Sequence, residues 1–260
     1  MRRMFALGLF ALSLAASAAP RADKISWSYG GTDFDGYLVW NDASKALRPG
    51  LLMIPPWYGI NDNEIADAKT IAGKDFVILL VDMYGRGLRP ANPDEAGKAS
   101  AAVYADPAML RGRINTALAT LRGVGKKAPV DQKRIGAIGF CFGGAVALDL
   151  ARSGADVAGV ASFHGNLKTK LPATKGNVKA KVLAMNGADD GFVKAEDIAN
   201  FQNEMREAGA DWQFVNFGGA VHCFAVPEEH GTVPGCQFNE AAYRRSMHMM
   251  HDFFAEAFAQ

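Results

Sequence analysis

The stretch Gly139-Phe140-Cys141-Phe142-Gly143-Gly144 constrains this chain more than any other. Before it, Lys133-Arg134-Ile135-Gly136-Ala137-Ile138 reads as a short strand. After it, Ala145-Val146-Ala147-Leu148-Asp149-Leu150-Ala151 reads as a helix with apolar faces. Three glycines around one cysteine predict a strand that turns abruptly into a helix, a bend with no room for a Cβ and with unusual backbone angles. The thiol then stands at a helix N-terminus, where unpaired N–H groups and the macrodipole stabilise negative charge on sulfur. Such a bend is a nucleophile elbow with cysteine in place of serine.

The rest of the pattern predicts a scaffold able to carry that elbow. Apolar residues make up 49% of 260 positions, enough to bury a large core. Ile25-Ser26-Trp27-Ser28-Tyr29 and Phe34-Asp35-Gly36-Tyr37-Leu38-Val39-Trp40 alternate around Gly30-Gly31-Thr32-Asp33, which predicts an antiparallel hairpin. Leu51-Leu52-Met53-Ile54 and Phe76-Val77-Ile78-Leu79-Leu80-Val81 are unbroken apolar runs, as in parallel strands covered on both faces. Val157-Ala158-Gly159-Val160-Ala161-Ser162-Phe163 and Val182-Leu183-Ala184-Met185 supply later strands, and Trp212-Gln213-Phe214-Val215-Asn216-Phe217 an edge strand. Helices are expected over residues 62–72, 104–121, 195–208 and 240–258. Residues 24–260 show no repeat or linker and read as one α/β domain with a mostly parallel, doubly wound sheet after an N-terminal hairpin.

Residues 1–18 read as a signal peptide. Arg2 and Arg3 form the basic start, residues 4–14 the apolar stretch, and Ala16-Ser17-Ala18 the small-residue cleavage site. The run is shorter than the ~20 residues of a spanning helix, so cleavage after Ala18 is expected to leave no membrane span. Export follows, to the periplasm in a Gram-negative bacterium. The 28 basic and 27 acidic residues leave a formal charge of +1 with no basic stripe, so nucleic acid is not an expected partner. With Cys141 in the elbow, Cys223 and Cys236 are expected to pair, closing a loop that chain entropy values at ~3 kcal/mol. Two free thiols, or a Cys141–Cys223 pair, stay open as alternatives.

Downstream of Cys141, the strand at residues 182–185 leads into Asn186-Gly187-Ala188-Asp189-Asp190-Gly191, and the strand at 212–217 into Gly218-Gly219-Ala220-Val221-His222. Nucleophile, acid and histidine thus follow in the chain order of a hydrolase triad, each on a loop at the same rim of the sheet. The imidazole takes the thiol proton, and a carboxylate, Asp190 in preference to Asp189, fixes its tautomer. An oxyanion needs two backbone donors. Phe142 offers one. In Pro55-Pro56-Trp57-Tyr58-Gly59, Trp57 is the first residue with an N–H to give.

These residues resemble the dienelactone hydrolase family (carboxymethylenebutenolidases and relatives). The match comprises Trp57-Tyr58-Gly59-Ile60-Asn61, Asp82-Met83-Tyr84, the cysteine elbow, Gly187-Ala188-Asp189-Asp190 and His222-Cys223-Phe224-Ala225. The resemblance implies an α/β-hydrolase fold without a large lid, a Cys141–His222–Asp190 triad, no metal or other cofactor, and hydrolysis of a lactone or activated ester through an acyl thioester. The family pattern counts its acid three residues after a glycine, which selects Asp190 from Gly187. Two positions depart from it. Pro56 stands where members carry a thiol-contacting glutamate, and Val226 where they carry a substrate-binding arginine. Arg86 and Arg89 are candidates to replace that arginine, with a solvated loop the favoured reading. Dienelactone itself is not the expected substrate.

His248 and His251 read as surface residues rather than a metal pair, and Met247, Met249 and Met250 as core filling. No G-x-G-x-x-G and no Cys-x-x-Cys occurs, which argues against dinucleotide binding and thioredoxin-like chemistry. The rival reading is a catalytically silent or thiol-reactive binding protein on the same fold.

Overall fold

The computed structural model describes residues 19–259. The expected signal peptide, residues 1–18, lies outside the described residues. Eight strands form one sheet: β1 (Arg21–Tyr29), β2 (Thr32–Trp40), β3 (Arg48–Ile54), β4 (Val77–Leu80), β5 (Val130–Phe140), β6 (Gly159–Phe163), β7 (Lys181–Gly187) and β8 (Trp212–Phe217). Their order across the sheet is β1-β2-β4-β3-β5-β6-β7-β8. The β1–β2 and β2–β4 pairs are antiparallel, and every pair from β4 to β8 is parallel. This is the α/β-hydrolase sheet, with the expected hairpin at one edge and β8 at the other.

Among the described residues, six α-helices cover the sheet: α1 (Asp62–Ala72), α2 (Pro93–Ala105), α3 (Pro107–Arg122), α4 (Phe142–Arg152), α5 (Ala195–Ala208) and α6 (Glu240–Ala257). Alternation within the strands divides the core in two. Leu52 and Ile54 of β3 join Val146 of α4, Leu118 of α3 and Phe201 of α5 on one face. Leu51 and Met53 join Ile71 of α1 and Phe254 of α6 on the other. Both faces are apolar because both are covered, which is what the unbroken apolar runs signalled.

The helix expected over residues 104–121 is instead the end of α2 and all of α3. Asp106 separates them in an extended conformation, and its side chain caps α3 by accepting from the Met109 N–H. Pro107 is the cause: a proline pushes the preceding residue out of helical angles and is itself suited to the first helical position. Met249 is a second correction. It is 39% exposed, while Met250 is fully buried. One residue rotates a helix by about 100°, so adjacent methionines cannot share the buried face with Ser246 and Phe254. His248 and His251 are exposed as expected, with His251 stacked on Phe76. Among the described residues, no helix is long and apolar enough to cross a membrane.

The sheet reverses its winding at β3. Chain order runs from β3 outward to β4, then back across β3 to β5. The carboxyl ends of β3 and β5 therefore flank a topological switch point, the crevice where such sheets bind ligands.

Candidate active site

Cys141 leaves β5 at that crevice and heads α4 as its N-cap residue. Its φ of 52° is the unusual angle the motif requires. The strain falls on the cysteine itself, since Gly139, Gly143 and Gly144 have no positive φ. Those glycines act by absence. A Cβ on Gly143 would lie 2.1 Å from the Ile54 carbonyl oxygen and 2.6 Å from that of Pro55. Bare backbone at Gly143 lets the elbow and the end of β3 touch.

The triad is assembled. His222 Nε2 lies 3.1 Å from Cys141 Sγ, and His222 Nδ1 lies 2.7 Å from Asp190 Oδ2. The Asp190 side chain is fully buried and its other oxygen accepts from the Phe192 N–H at 2.8 Å, so the carboxylate has one orientation. Asp189 is exposed and takes no part. Burial opposes a charged imidazole at His222, but hydrogen bonds and charge from Asp190 and Cys141 outweigh it and raise the ring to about 10. The site thereby favours the protonated, imidazolium form of His222.

The loop bearing His222 is fastened on its far side. Cys223 and Cys236 form the expected disulfide, and the Gln237 N–H donates to the His222 carbonyl at 2.9 Å. Across the crevice, Tyr84 Oη donates to the Trp57 carbonyl at 2.7 Å. Asp82 Oδ1 in turn accepts from the Tyr84 and Gly85 N–H groups. The Asp82-Met83-Tyr84 segment thereby fixes the loop after β3. The N–H groups of Trp57 and Phe142 have no acceptor among the described residues, which leaves both available beside the thiol.

His164 was not foreseen. The sequence points to His222 as the histidine after a late strand, yet His164 directly follows β6 as well. It is fully buried with a φ of 40°, and its Nδ1 accepts from the Cys141 N–H at 3.1 Å. Its ring packs edge-on against His222 and Phe224, with centroids 5.1 Å away in each case. Burial and the neighbouring His222 drive its basicity well below the ordinary value, so His164 is a neutral prop. The signal in the sequence was a histidine placed immediately after an apolar strand run. Cys141, His164 and His222 also offer ligand atoms within 4.8 Å of one another, the geometry of a possible metal group. Two of its members, Cys141 and His222, belong to the triad, and His164 Nδ1 already accepts from the Cys141 amide.

Arg86 and Arg89 do not reach the thiol. Arg86 pairs with Asp33 and Asp35, Arg89 pairs with Asp82, and both line a separate hollow without Cys141. Instead, the thiol opens onto a cavity of about 350 Å³ walled by Trp57, Tyr104, Phe142, Phe192 and Val193. The wall is aromatic and apolar, with Asn166 and Ser100 as polar side chains.

Comparison with known proteins agrees with this geometry. A solved structure described as a dienelactone hydrolase-like promiscuous phosphotriesterase, P91, from metagenomic libraries superposes with a TM-score of 0.85 at 33% identity, covering 93% of this chain and all of that one. A second, titled m3DLH, gives 0.85 at 32% identity with the same coverage. An uncharacterized protein of Caenorhabditis elegans is 35% identical over 156 residues, 58% of this chain and 95% of that protein. The dienelactone hydrolase family model matches residues 34–258, and the chain belongs to that family.

Proposed function

We propose that the protein hydrolyses small esters or lactones with an apolar acyl or alcohol part, through a thioester on Cys141. The observation that carries this reading is the continuous Sγ–Nε2 and Nδ1–Oδ2 contact, at 3.1 and 2.7 Å. Cys141 Sγ attacks the carbonyl carbon while His222 Nε2 holds the thiol proton. The carbonyl π pair moves to oxygen, which the Trp57 and Phe142 N–H groups receive. Collapse breaks the C–O bond, and the imidazolium protonates the departing alkoxide; in a lactone that hydroxyl stays attached to the acyl chain. Water then gives a proton to His222 and attacks the thioester, the C–S bond breaks, and acid and thiol are regenerated. Asp190 keeps the imidazole in the tautomer that both halves need.

Pro56 and Val226 stand where the family resemblance implies a glutamate and an arginine, and with no positive charge there carboxylate-bearing substrates are disfavoured. The described P91 relative widens the assay set to phosphotriesters. Export after cleavage near Ala18 belongs to the same proposal, and the Cys223–Cys236 disulfide supports it, since such bonds persist in oxidising compartments.

The test is turnover of p-nitrophenyl acetate, p-nitrophenyl butyrate and small lactones by the native protein and Cys141→Ala, with mass spectrometry of the acyl-enzyme. An acyl adduct on Cys141, and loss of turnover in the variant, are expected. Turnover unchanged in Cys141→Ala refutes the mechanism, and no turnover of any ester favours the thiol-reactive binding protein.

A further inference from the structure

A second, smaller pocket shares Trp57, Cys141 and Cys223 with the apolar cavity. It encloses about 180 Å³, and its remaining wall includes Pro56, Tyr58, Glu64, Val226, Glu228 and Glu229. Three carboxylates and no lysine or arginine line it. Glu64 is the unexpected one. It lies in the first turn of α1, only 6% exposed, and its side chain meets no hydrogen-bond donor and no cation among the described residues. A buried carboxylate is normally paired.

The groups around it make the imbalance worse. Asp67, one turn further along α1, and Glu228, from the loop after the disulfide-bonded Cys223, both repel its charge, and burial adds to the repulsion. Burial and Glu228 lift Asp67 to about 6. Tyr58 and Tyr243 are held protonated by burial and by the same acids, Glu229 for the first and Asp67 with Glu228 for the second. Burial and mutual repulsion thus favour the protonated forms of Glu64 and Asp67. A positive group entering the corner would relieve that repulsion and favour their ionised forms.

We infer that this pocket is a subsite for an organic ammonium group carried by the substrate. The inference rests on the thioester reading of Cys141 and extends it. With the ester carbonyl at the thiol, the apolar part fills the larger cavity and the ammonium the smaller. Carboxylates supply counter-charge, while the Trp57 and Tyr58 rings, 5.4 Å apart and edge to face, offer π faces to a weakly hydrated cation. Pro56 and Val226 complete an apolar lip that suits alkylammonium better than a hydrated metal ion.

The experiment compares acetylcholine with its neutral isostere 3,3-dimethylbutyl acetate, using the native protein, Glu64→Gln and Glu228→Gln. Glu228 is exposed, so its variant keeps the test sound if Glu64→Gln fails to fold. The native kcat/KM ratio, cationic over neutral, is expected to be about tenfold or more and to fall toward one in both variants. A native ratio at or below one, or a ratio untouched by both substitutions, overturns the subsite. Turnover of the neutral ester that survives Cys141→Ala overturns the thioester reading instead. Should neither ester turn over, tetramethylammonium quenching of tryptophan fluorescence still decides the matter. Saturable binding that tightens from pH 5 to pH 8 and is lost in Glu64→Gln upholds the subsite, and its absence refutes it. Calcium chloride that abolishes the ratio where tetramethylammonium does not would mark a metal site and also refute it.

Discussion

Gly143→Ala tests whether the elbow and the oxyanion loop are held together by bare backbone. The new methyl would stand 2.1 Å from the Ile54 oxygen, 2.6 Å from the Ile54 carbonyl carbon and 2.6 Å from the Pro55 oxygen. Ordinary contact would need the end of β3 to retreat by roughly 1 Å. Ile54 is paired with Gly139 in the sheet, and Pro55 is followed by Pro56 and then Trp57, so the retreat moves the amide proposed as an oxyanion donor. Loss of one such donor costs on the order of 100- to 1,000-fold in kcat. Overpacking of this kind costs about 1–3 kcal/mol of stability, or roughly 3–10 °C in Tm for a domain of this size. Gly97→Ala is the control: in the middle of α2 its methyl meets only a Trp57 ring carbon at 3.9 Å. That change should leave kcat intact and add about 0.5–1 kcal/mol through backbone entropy. Ester hydrolysis and thermal melts on both variants give the answer. Wild-type kcat in Gly143→Ala would refute the argument that this contact positions the Trp57 amide.

Replacing both Cys223 and Cys236 by serine should cost about 3 kcal/mol in urea unfolding and lower kcat more than it raises KM, because the bond fixes the loop of His222; an unchanged kcat would show that the loop needs no fastening. The pH dependence of stability carries the mark of His222. Its folded value, about 10, lies above the ordinary 6.5, so the charged ring favours the folded protein. That contribution is complete below pH 6.5 and fades as pH rises through 10. Asp190→Asn should therefore flatten the decline of the urea midpoint between pH 7 and pH 10, whereas parallel declines in both proteins would sink the assignment.

Triad and disulfide were legible because their signals are local. Each chemical residue follows a strand, so the strand pattern alone delivers Cys141, Asp190 and His222 to one rim. Family spacing agreed with the preference for Asp190 over Asp189, and burial explains it: only Asp190 turns inward. His164 was hidden because its role depends on β6 lying beside β5, a pairing that no segment of sequence announces. Glu64 was hidden for a similar reason. It sits in an ordinary helix start capped by Asn61, and only the approach of the 223–229 loop makes its burial exceptional. The split at Asp106 was readable from Pro107, but helical spacing of apolar residues on both sides masked it.

Cys223, bonded to Cys236, borders both pockets that meet at Cys141, so one small chamber needs sulfur in two oxidation states at once. Surroundings reducing enough to preserve the nucleophile work to open the clasp, and surroundings that preserve the clasp invite sulfenate on the nucleophile. The two sulfur states therefore set opposite limits on the surroundings: small thiols act on the clasp, and peroxide acts on the nucleophile.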